Sequence, residues 1–361
     1  MLESVSYSMA HEGLLGMPKM SWATSGFLSE RLSALPKHSL YSDSLHTNAM
    51  NSESEVSAAL RTIALDEDAK SYVLEHPPLY QALQKAAMRF IGGETLAQCL
   101  DVAASLNNKG HKVTIDFMGE STRDGNAARA ATQEFSAVID AIAEKSVEAS
   151  ISLDLSHIGM VIDPELGYQN ARLLAASSQQ CGLEMMISME GTDRTDSILS
   201  TYQHLCEQYD NVGITLQAYL YRTTEDLKMV IQSPGKIRLV KGAYAAPLER
   251  ASSRGTELDA VYQQLMETLL LSGHTCSIAT HDQALLDRAH SVIGKHKLST
   301  DAIEFEMLKG VTPERLATMQ EHGYATRVYL PYGKEWYLYL CNRLAEHPPN
   351  LYQVITDTVA S

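Results

Sequence analysis

Eight short β-prone runs recur along the chain, and a helical pattern follows each of them. The runs are HKVTIDFM (111–118), ASISLDLS (149–156), EMMISM (184–189), NVGITLQAY (211–219), KIRLVKGA (236–243), TCSIATH (275–281), AIEFEML (302–308) and ATRVYLPYG (325–333). Segments such as NAARAATQEFSAVIDAIAEK, ELDAVYQQLMETLLLSG and QALLDRAHSVIGKH separate them, and KEWYLYLCNRLAEH follows the last. Strands that alternate with helices imply a parallel sheet, and therefore an α/β chain. Eight such units over roughly 250 residues match a closed (β/α)8 barrel of the TIM type. An open doubly wound sheet is the second choice. It would want a Gly-rich turn after its first strand, and MGESTRDG is not GxGxxG.

Three helical patterns precede the barrel. DEDAKSYVLE has an acidic first turn, PPLYQALQKAAMRF opens on prolines and ends at Gly92-Gly93, and ETLAQCLDVAASLNNKG closes on Asn107-Asn108 and Gly110. Residues 1–55 are rich in Ser, Met and Ala and weakly periodic. The expected organisation is an N-terminal arm over 1–75, partly helical or mobile, and a catalytic barrel over 76–361.

Charge narrows the partners. A net charge of −15 makes nucleic acid a poor one, since binding it needs a cationic footprint. The five cysteines are odd in number and widely spaced, without metal-ligand spacing, so reduced cytosolic thiols and no metal are expected. The N-terminus lacks the pattern of a signal peptide, and no apolar run is long enough for a transmembrane segment.

In a barrel of this kind, chemistry sits at the C-terminal ends of the strands. That rule selects Glu120, Asp154, Ser156, His157, Ser188, Glu190, Gln217, Tyr219, Lys241, Tyr244, Thr280, His281, Asp282, Tyr329 and Tyr332. RLVKGAY (238–244) is the oddest stretch, with two cations and a glycine in and just after one short strand. Alternation puts Arg238, Val240 and Gly242 on one face and Leu239, Lys241 and Ala243 on the other. If the first set points inward, Arg238 is a cation in the barrel core. It then either pairs with Glu304 or Glu306, or donates to an electron-rich ring system. Gly242 favours close approach of a ligand.

ATHD (279–282) offers His281 as base, metal ligand or phosphate donor, although no HxH, HExxH or CxxC supplies metal partners; Thr280 with the following helix N-terminus is a phosphate holder, and Asp282 is an N-cap. In NRLAEH (342–347), Arg343 and Glu346 share a helix face, usually as a solvated ion pair; here Arg343 could also reach a substrate carboxylate. There is no GxSxG and no cysteine at a cationic helix start. A bowl of donors and aromatics without a hydrolytic triad fits cofactor chemistry.

Taken in order, these blocks resemble the FAD-dependent proline dehydrogenase (proline oxidase) family over roughly residues 88–350. FIGGETLAQCLDVAASLNNKGHKVTIDFMGE, VGITLQAYLYR, RLVKGAYAAP, ATHD, EFEMLKGV and RVYLPYG carry the resemblance, RLVKGAY most specifically. The resemblance implies that Arg238 sits near N5 of FAD, with Gln217, Val240, Lys241, Gly242, Ala243, Thr280 and His281 holding the rest of the cofactor. It also implies that Tyr244, Leu308 and Tyr329 wall the substrate pocket, that Arg343 binds the substrate carboxylate, and that proline is oxidised to 1-pyrroline-5-carboxylate. Arg238, Tyr329 and Arg343 are the expected catalytic residues. Asp154, Ser188, Tyr244, Leu308, Asn342 and Glu346 are the expected substrate contacts.

Three positions depart from the family pattern: Asp154 stands where a Lys is usual, Ser188 where an Asp is usual, and Asn342 where the first of two arginines is usual. By formal charges the pocket is about two units more negative than that pattern. This points to proline or a close derivative whose carboxylate is masked or displaced, and to specialised metabolism such as antibiotic (carbapenem) synthesis. A catalytically weak, flavin-binding regulatory relative is the alternative. A (β/α)8 hydrolase or lyase using Glu120, Asp154, Glu304 and Glu306 is the third reading. The expected electron acceptor is a quinone or small redox protein, and the expected location is the cytoplasm or the periphery of the inner membrane.

Overall fold

The computed structural model describes residues 55–242, 244 and 246–346. Ala243 and the first 54 residues of the expected arm lie outside the described residues.

The described chain begins with a helical segment over 55–64 and continues into α1 (Glu67–Glu75), α2 (Pro77–Ala87) and α3 (Leu96–Asn107). Local chemistry sets their ends. The Asp66 carboxylate accepts from the Asp68 and Ala69 amides, two prolines open α2, and Thr95 and Gln98 cap α3 reciprocally.

Eight strands then alternate with helices: β1 (Lys112–Phe117), α4 (Gly125–Lys145), β2 (Ala149–Leu153), α5 (Pro164–Gln180), β3 (Met185–Ile187), α6 (Thr195–Cys206), β4 (Val212–Gln217), α7 (Thr223–Val230), β5 (Ile237–Val240), α8 (Thr256–Ser272), β6 (Cys276–Ala279), α9 (Gln283–His296), β7 (Ile303–Leu308), α10 (Pro313–Glu321), β8 (Ala325–Tyr332) and α11 (Trp336–Glu346). All eight strands pair in parallel in chain order, and β1 closes on β8, with Thr114 opposite both Ser150 and Tyr329. The expected (β/α)8 barrel is the fold.

Alternate strand residues divide the molecule. One set, including Ile115, Ile151, Ile187, Ile214, Leu239, Ile278, Phe305 and Leu330, is fully buried in the apolar shell between sheet and helices. Burying each such side chain stabilises the fold by roughly 1.5–3 kcal/mol. The other set lines the barrel interior and is polar on nearly every strand. Its lower layer is ionic: Glu304 accepts from Arg327 Nε at 2.7 Å and from Lys236 Nζ at 3.0 Å, and Lys236 also reaches Glu184 at 2.8 Å. Arg327 further donates to the Val113 carbonyl at 2.9 Å and to Ser150 at 2.8 Å. Buried charges persist only when paired in this way.

A second apolar cluster ties α2 and the turn after it to α11: Ala86, Ala87, Phe90 and Ile91 pack with Trp336, Tyr337, Leu340 and Leu344. The Glu94 carboxylate joins the two, accepting from Tyr80 Oη and, at 2.7 Å, from Trp336 Nε1. From the end of β7, Lys309 Nζ donates to the Met88 and Arg89 carbonyls at 2.7 and 3.0 Å. Burial pushes this ammonium down to about 8. The helices preceding the barrel therefore fix the last helix, which carries Asn342 and Arg343.

Candidate active site

Most of the expected site residues lie on the strands or just past their C-terminal ends, and Asn342, Arg343 and Glu346 lie on α11. Arg238 on β5 points into the barrel and is almost fully buried. Its Nε donates to Thr215 Oγ1 at 3.0 Å, its Nη2 to Ser152 Oγ at 3.0 Å, and its Nη1 to Glu306 Oε1 at 3.4 Å. The ion pair is therefore formed, and with Glu306. Glu304 belongs to the layer below. The Arg238 guanidinium carbon also lies 5.1 Å from the Tyr329 ring centroid, a cation–π distance.

Tyr329 donates its hydroxyl to Asp116 Oδ2. Burial pushes the Asp116 carboxyl up to about 6, opposed by the Tyr329 hydrogen bond and by Arg238. Asp154, just past β2, is raised further from the usual carboxylate range. Burial is the first cause, and Glu190, Asp116 and Glu120 add to it. Tyr244 spans the mouth, its hydroxyl 3.2 Å from Glu120 Oε2 and 3.4 Å from Asp154 Oδ2. One hydroxyl proton cannot satisfy two carboxylates, so this geometry also favours a protonated Asp154. Ser188 Oγ lies 3.2 Å from Ser152 Oγ and so connects to Arg238 through one hydroxyl. Glu190 is fully buried, bound by Arg194 at 2.6 Å and by the Ser156 amide at 3.0 Å.

The four carboxylates of the hydrolytic reading do not converge. Glu304 is held in the lower layer, Glu306 faces Arg238, and only Glu120 and Asp154 meet, at Tyr244.

The expected cofactor residues flank Arg238. Gln217 Nε2 donates to the Glu190 carbonyl at 2.9 Å, and the Val240 carbonyl accepts from Ala218 N at 2.8 Å. Lys241, on the opposite strand face, lies 2.5 Å from Asp259 and 2.9 Å from Asp282. Asp282 also caps α9, accepting from Ala284 N at 3.0 Å and Leu285 N at 3.4 Å, while Thr280 Oγ1 accepts from Asp282 N at 3.2 Å. His281 Nε2 accepts from the Leu308 amide at 3.3 Å. Its Nδ1 therefore carries the proton and donates to Thr312 Oγ1 at 3.2 Å. That imidazole binds the end of β6 to Leu308.

Gly242 has φ +113°, and a Cβ there would fall 2.2 Å from Tyr219 Cδ1. The Tyr219 ring alone is thus a sufficient reason for this glycine. Gly242→Ala is expected to lose roughly 2–4 kcal/mol of stability from backbone strain and overpacking together. A urea midpoint equal to that of the unmodified protein would show that the turn relaxes instead.

Arg343 pairs with Glu346 at 2.5 Å and lies over the Tyr339 ring, its carbon 5.2 Å from the centroid. The pair is largely shielded, its side chains 12% and 21% exposed, unlike the solvated pair that this spacing usually makes. Packing of α11 under α2 is the reason. Asn342 beside it is half-buried. Arg343 Nε, Tyr339 Oη and Tyr219 Oη are buried without a hydrogen-bond partner among the described residues. Such atoms are usually satisfied by water or a ligand. Unpartnered buried donors of this kind fit a polar cofactor and a small substrate.

The selection by strand ends missed Asp116 and Tyr339, and Glu306 entered only as a core partner of Arg238 or as a hydrolytic carboxylate. Polar alternation through Thr114 and Asp116, Ser150 and Ser152, and Glu304 and Glu306 was the available signal for the strand residues. Tyr339 precedes Arg343 by one helical turn.

Two groups give the site opposite pH responses. His157 stacks on Phe117, centroids 5.3 Å apart, and burial pushes its imidazole down to about 4 from 6.5. Its contribution to stability is present above 6.5 and lost as the pH falls toward 4. Asp116, raised from 3.8 to about 6, contributes below 3.8 and loses that contribution as the pH rises through 6. Taken as the difference from the unmodified protein, so that the titration of Asp154 is common to both, the urea midpoint of Asp116→Asn is therefore expected to gain as the pH rises over about 4 to 6, and that of His157→Gln to lose over about pH 4 to 6.5. Parallel profiles in the two variants would contradict the assignment.

Among the described residues no helix is long and apolar enough to cross a membrane. The sequence model of one family, described as proline dehydrogenase, matches residues 99–354. The chain is 34% identical over 266 residues to proline dehydrogenase 1 of Bacillus subtilis (strain 168), covering 73% of this chain and 87% of that protein. It is 31% identical over 287 residues to proline dehydrogenase of Deinococcus radiodurans, covering 77% of this chain and 93% of the other. Among solved structures it resembles proline utilization A of Bdellovibrio bacteriovorus inactivated by N-propargylglycine. The TM-score is 0.73 at 19% identity, over 91% of this chain and 41% of that one, a likeness of fold.

Proposed function

The chain belongs to the proline dehydrogenase family of FAD-dependent oxidoreductases, and on that premise we propose that it removes a hydride from C5 of proline, or of a close proline derivative, and releases the corresponding 1-pyrroline-5-carboxylate. FAD, when bound, supplies the two-electron acceptor. The observation that carries this reading is the seat of Arg238, a buried cation between Ser152, Thr215 and the Tyr329 ring at the floor of the mouth. A preorganised cation there stabilises charge that develops on an electron-accepting ring.

The remaining roles follow from position. Gln217, Val240, Lys241, Gly242, Thr280 and His281 would hold the cofactor. Tyr244, Leu308 and Tyr329 would wall the pocket and exclude water. Arg343, held by Glu346 and Tyr339, would receive the substrate's carboxyl end beside Asn342. Asp154 and Ser188 would meet the substrate from the other side as neutral hydrogen-bonding groups, in place of a charged pair.

A pocket with this charge pattern suits a branch of specialised metabolism, such as antibiotic (carbapenem) synthesis, that draws on a pyrroline building block. A quinone or small redox protein would reoxidise the flavin, in the cytoplasm or at the periphery of the inner membrane. The competing reading is a weak, flavin-binding regulatory member of the family. It is favoured by the engagement of Arg343 with Glu346, which leaves less charge for a free carboxylate. Anaerobic mixing with L-proline, with flavin absorbance followed, separates the two. Bleaching supports oxidation, an unbleached flavin supports the regulatory relative, and a colourless protein that cannot be reconstituted with FAD excludes both.

A further inference from the structure

We infer that Glu306 sets the reduction potential of the bound flavin by cancelling part of the charge of Arg238. The inference rests on the proposed placement of the flavin beside Arg238.

Glu306 is inside the barrel and 3% exposed. Both of its oxygens are engaged: Oε1 accepts from Thr114 Oγ1 at 2.8 Å and from Arg238 Nη1 at 3.4 Å, and Oε2 accepts from Ser277 Oγ at 2.8 Å. Hydroxyls from β1 and β6 and a guanidinium from β5 thus converge on one β7 side chain, the donor set of a carboxylate. Two further Arg238 donors, Nε and Nη2, go to the neutral hydroxyls of Thr215 and Ser152. Two other anions bear on that layer. Asp116 is bound to Tyr329, and Glu304 is held below by Arg327 and Lys236. Among the described residues, Glu306 is the carboxylate in contact with the Arg238 guanidinium.

Coulomb coupling is strong at such burial. An anion paired with the cation that faces an electron-accepting ring weakens the attraction felt by added electrons. It therefore holds the potential below the value Arg238 alone would set. Glutamine at this position keeps the shape and can keep the hydrogen bonds through Oε1, while removing the charge.

The test is the midpoint potential of the flavin-loaded protein, measured by equilibrium titration against redox dyes. Glu306→Gln is expected to move the oxidised–reduced equilibrium at least about tenfold toward reduced flavin, about 30 mV upward for two electrons. Glu306→Asp keeps the charge but draws it back from Arg238, and is expected to move it the same way by about two- to fivefold. This second variant carries the test if the glutamine protein does not accumulate. Glu304→Gln, in the lower layer, is expected to lower the unfolding midpoint while moving the potential less than about threefold. A flavin-loaded Glu306→Gln protein with an unchanged potential, or a shift equally large in Glu304→Gln, overturns this inference and leaves the proposed function standing. A wild-type protein that binds no flavin overturns both.

Discussion

The double variant Arg238→Met with Glu306→Gln is expected to fold, bind flavin and reduce it about a hundredfold more slowly with proline. Removing one preorganised charge stabiliser from an active site costs about 3 kcal/mol in the transition state, and that cost remains in the double variant because the cation is gone. The single change Arg238→Ala conflates two effects. It removes the cation, but it also leaves Glu306 buried, with hydroxyls for company and no countercharge. Breaking a buried pair from one side costs about 3–5 kcal/mol of stability. Arg238→Ala should therefore unfold at distinctly lower urea than the double variant, although the double variant has lost more groups. The stability effects of the two positions should be non-additive and the kinetic effect of Arg238 should not be rescued. Single-turnover flavin reduction and urea unfolding, run on both proteins, read the two quantities separately. Wild-type reduction rates in the double variant would remove Arg238 from the chemistry and leave it as the structural half of a core ion pair.

Asp154→Lys combined with Asn342→Arg is expected to tighten the binding of free proline about thirtyfold or more. A charged partner restored to a desolvated carboxylate site is worth on the order of 2–5 kcal/mol. The structure sharpens this expectation. Asp154 sits among Glu120, Glu190 and Asp116, which together with burial favour its neutral form. A lysine introduced there would find anions already in place, without new partners. Arginine at 342 would stand beside Arg343, whose charge Glu346 already opposes, so the pair together would present about one net positive charge. The two changes should couple, since they would bind opposite ends of one carboxylate network. Adding Ser188→Asp should help orient the new lysine, at some cost to the hydroxyl contact with Ser152. Flavin reduction against proline concentration measures the gain, with proline amide as the charge-masked control. Tightening for proline alone, with no change for the amide, identifies carboxylate recognition. Tight proline binding by the unmodified protein, with no gain in the variant, would mean that the pocket supplies the charge elsewhere, and the specialised-substrate reading would fall.

The barrel was legible in the sequence because its determinants are local. Period-two alternation in each strand, the capping chemistry of Asp66, Thr95 and Asp282, and the prolines at the start of α2 act within a few residues of themselves. The same locality made the C-terminal strand ends a usable guide, and it set Arg238 and Lys241 on opposite faces of one strand. What decided the site is not local. Arg238 lies 68 residues from Glu306 and 86 from Ser152, and its choice of Glu306 over Glu304 depends on how far β7 is staggered against β5 around the closed sheet. Lys241 finds Asp259 and Asp282 on two different helices, Gly242 is required by the ring of Tyr219, and Asp116 acquires its role from Tyr329 across the β1–β8 closure. Sequence period fixes which residues face the barrel axis. Only closure of the barrel, with its particular shear, decides which inward-facing charge meets which, because that depends on the summed register of every strand between them.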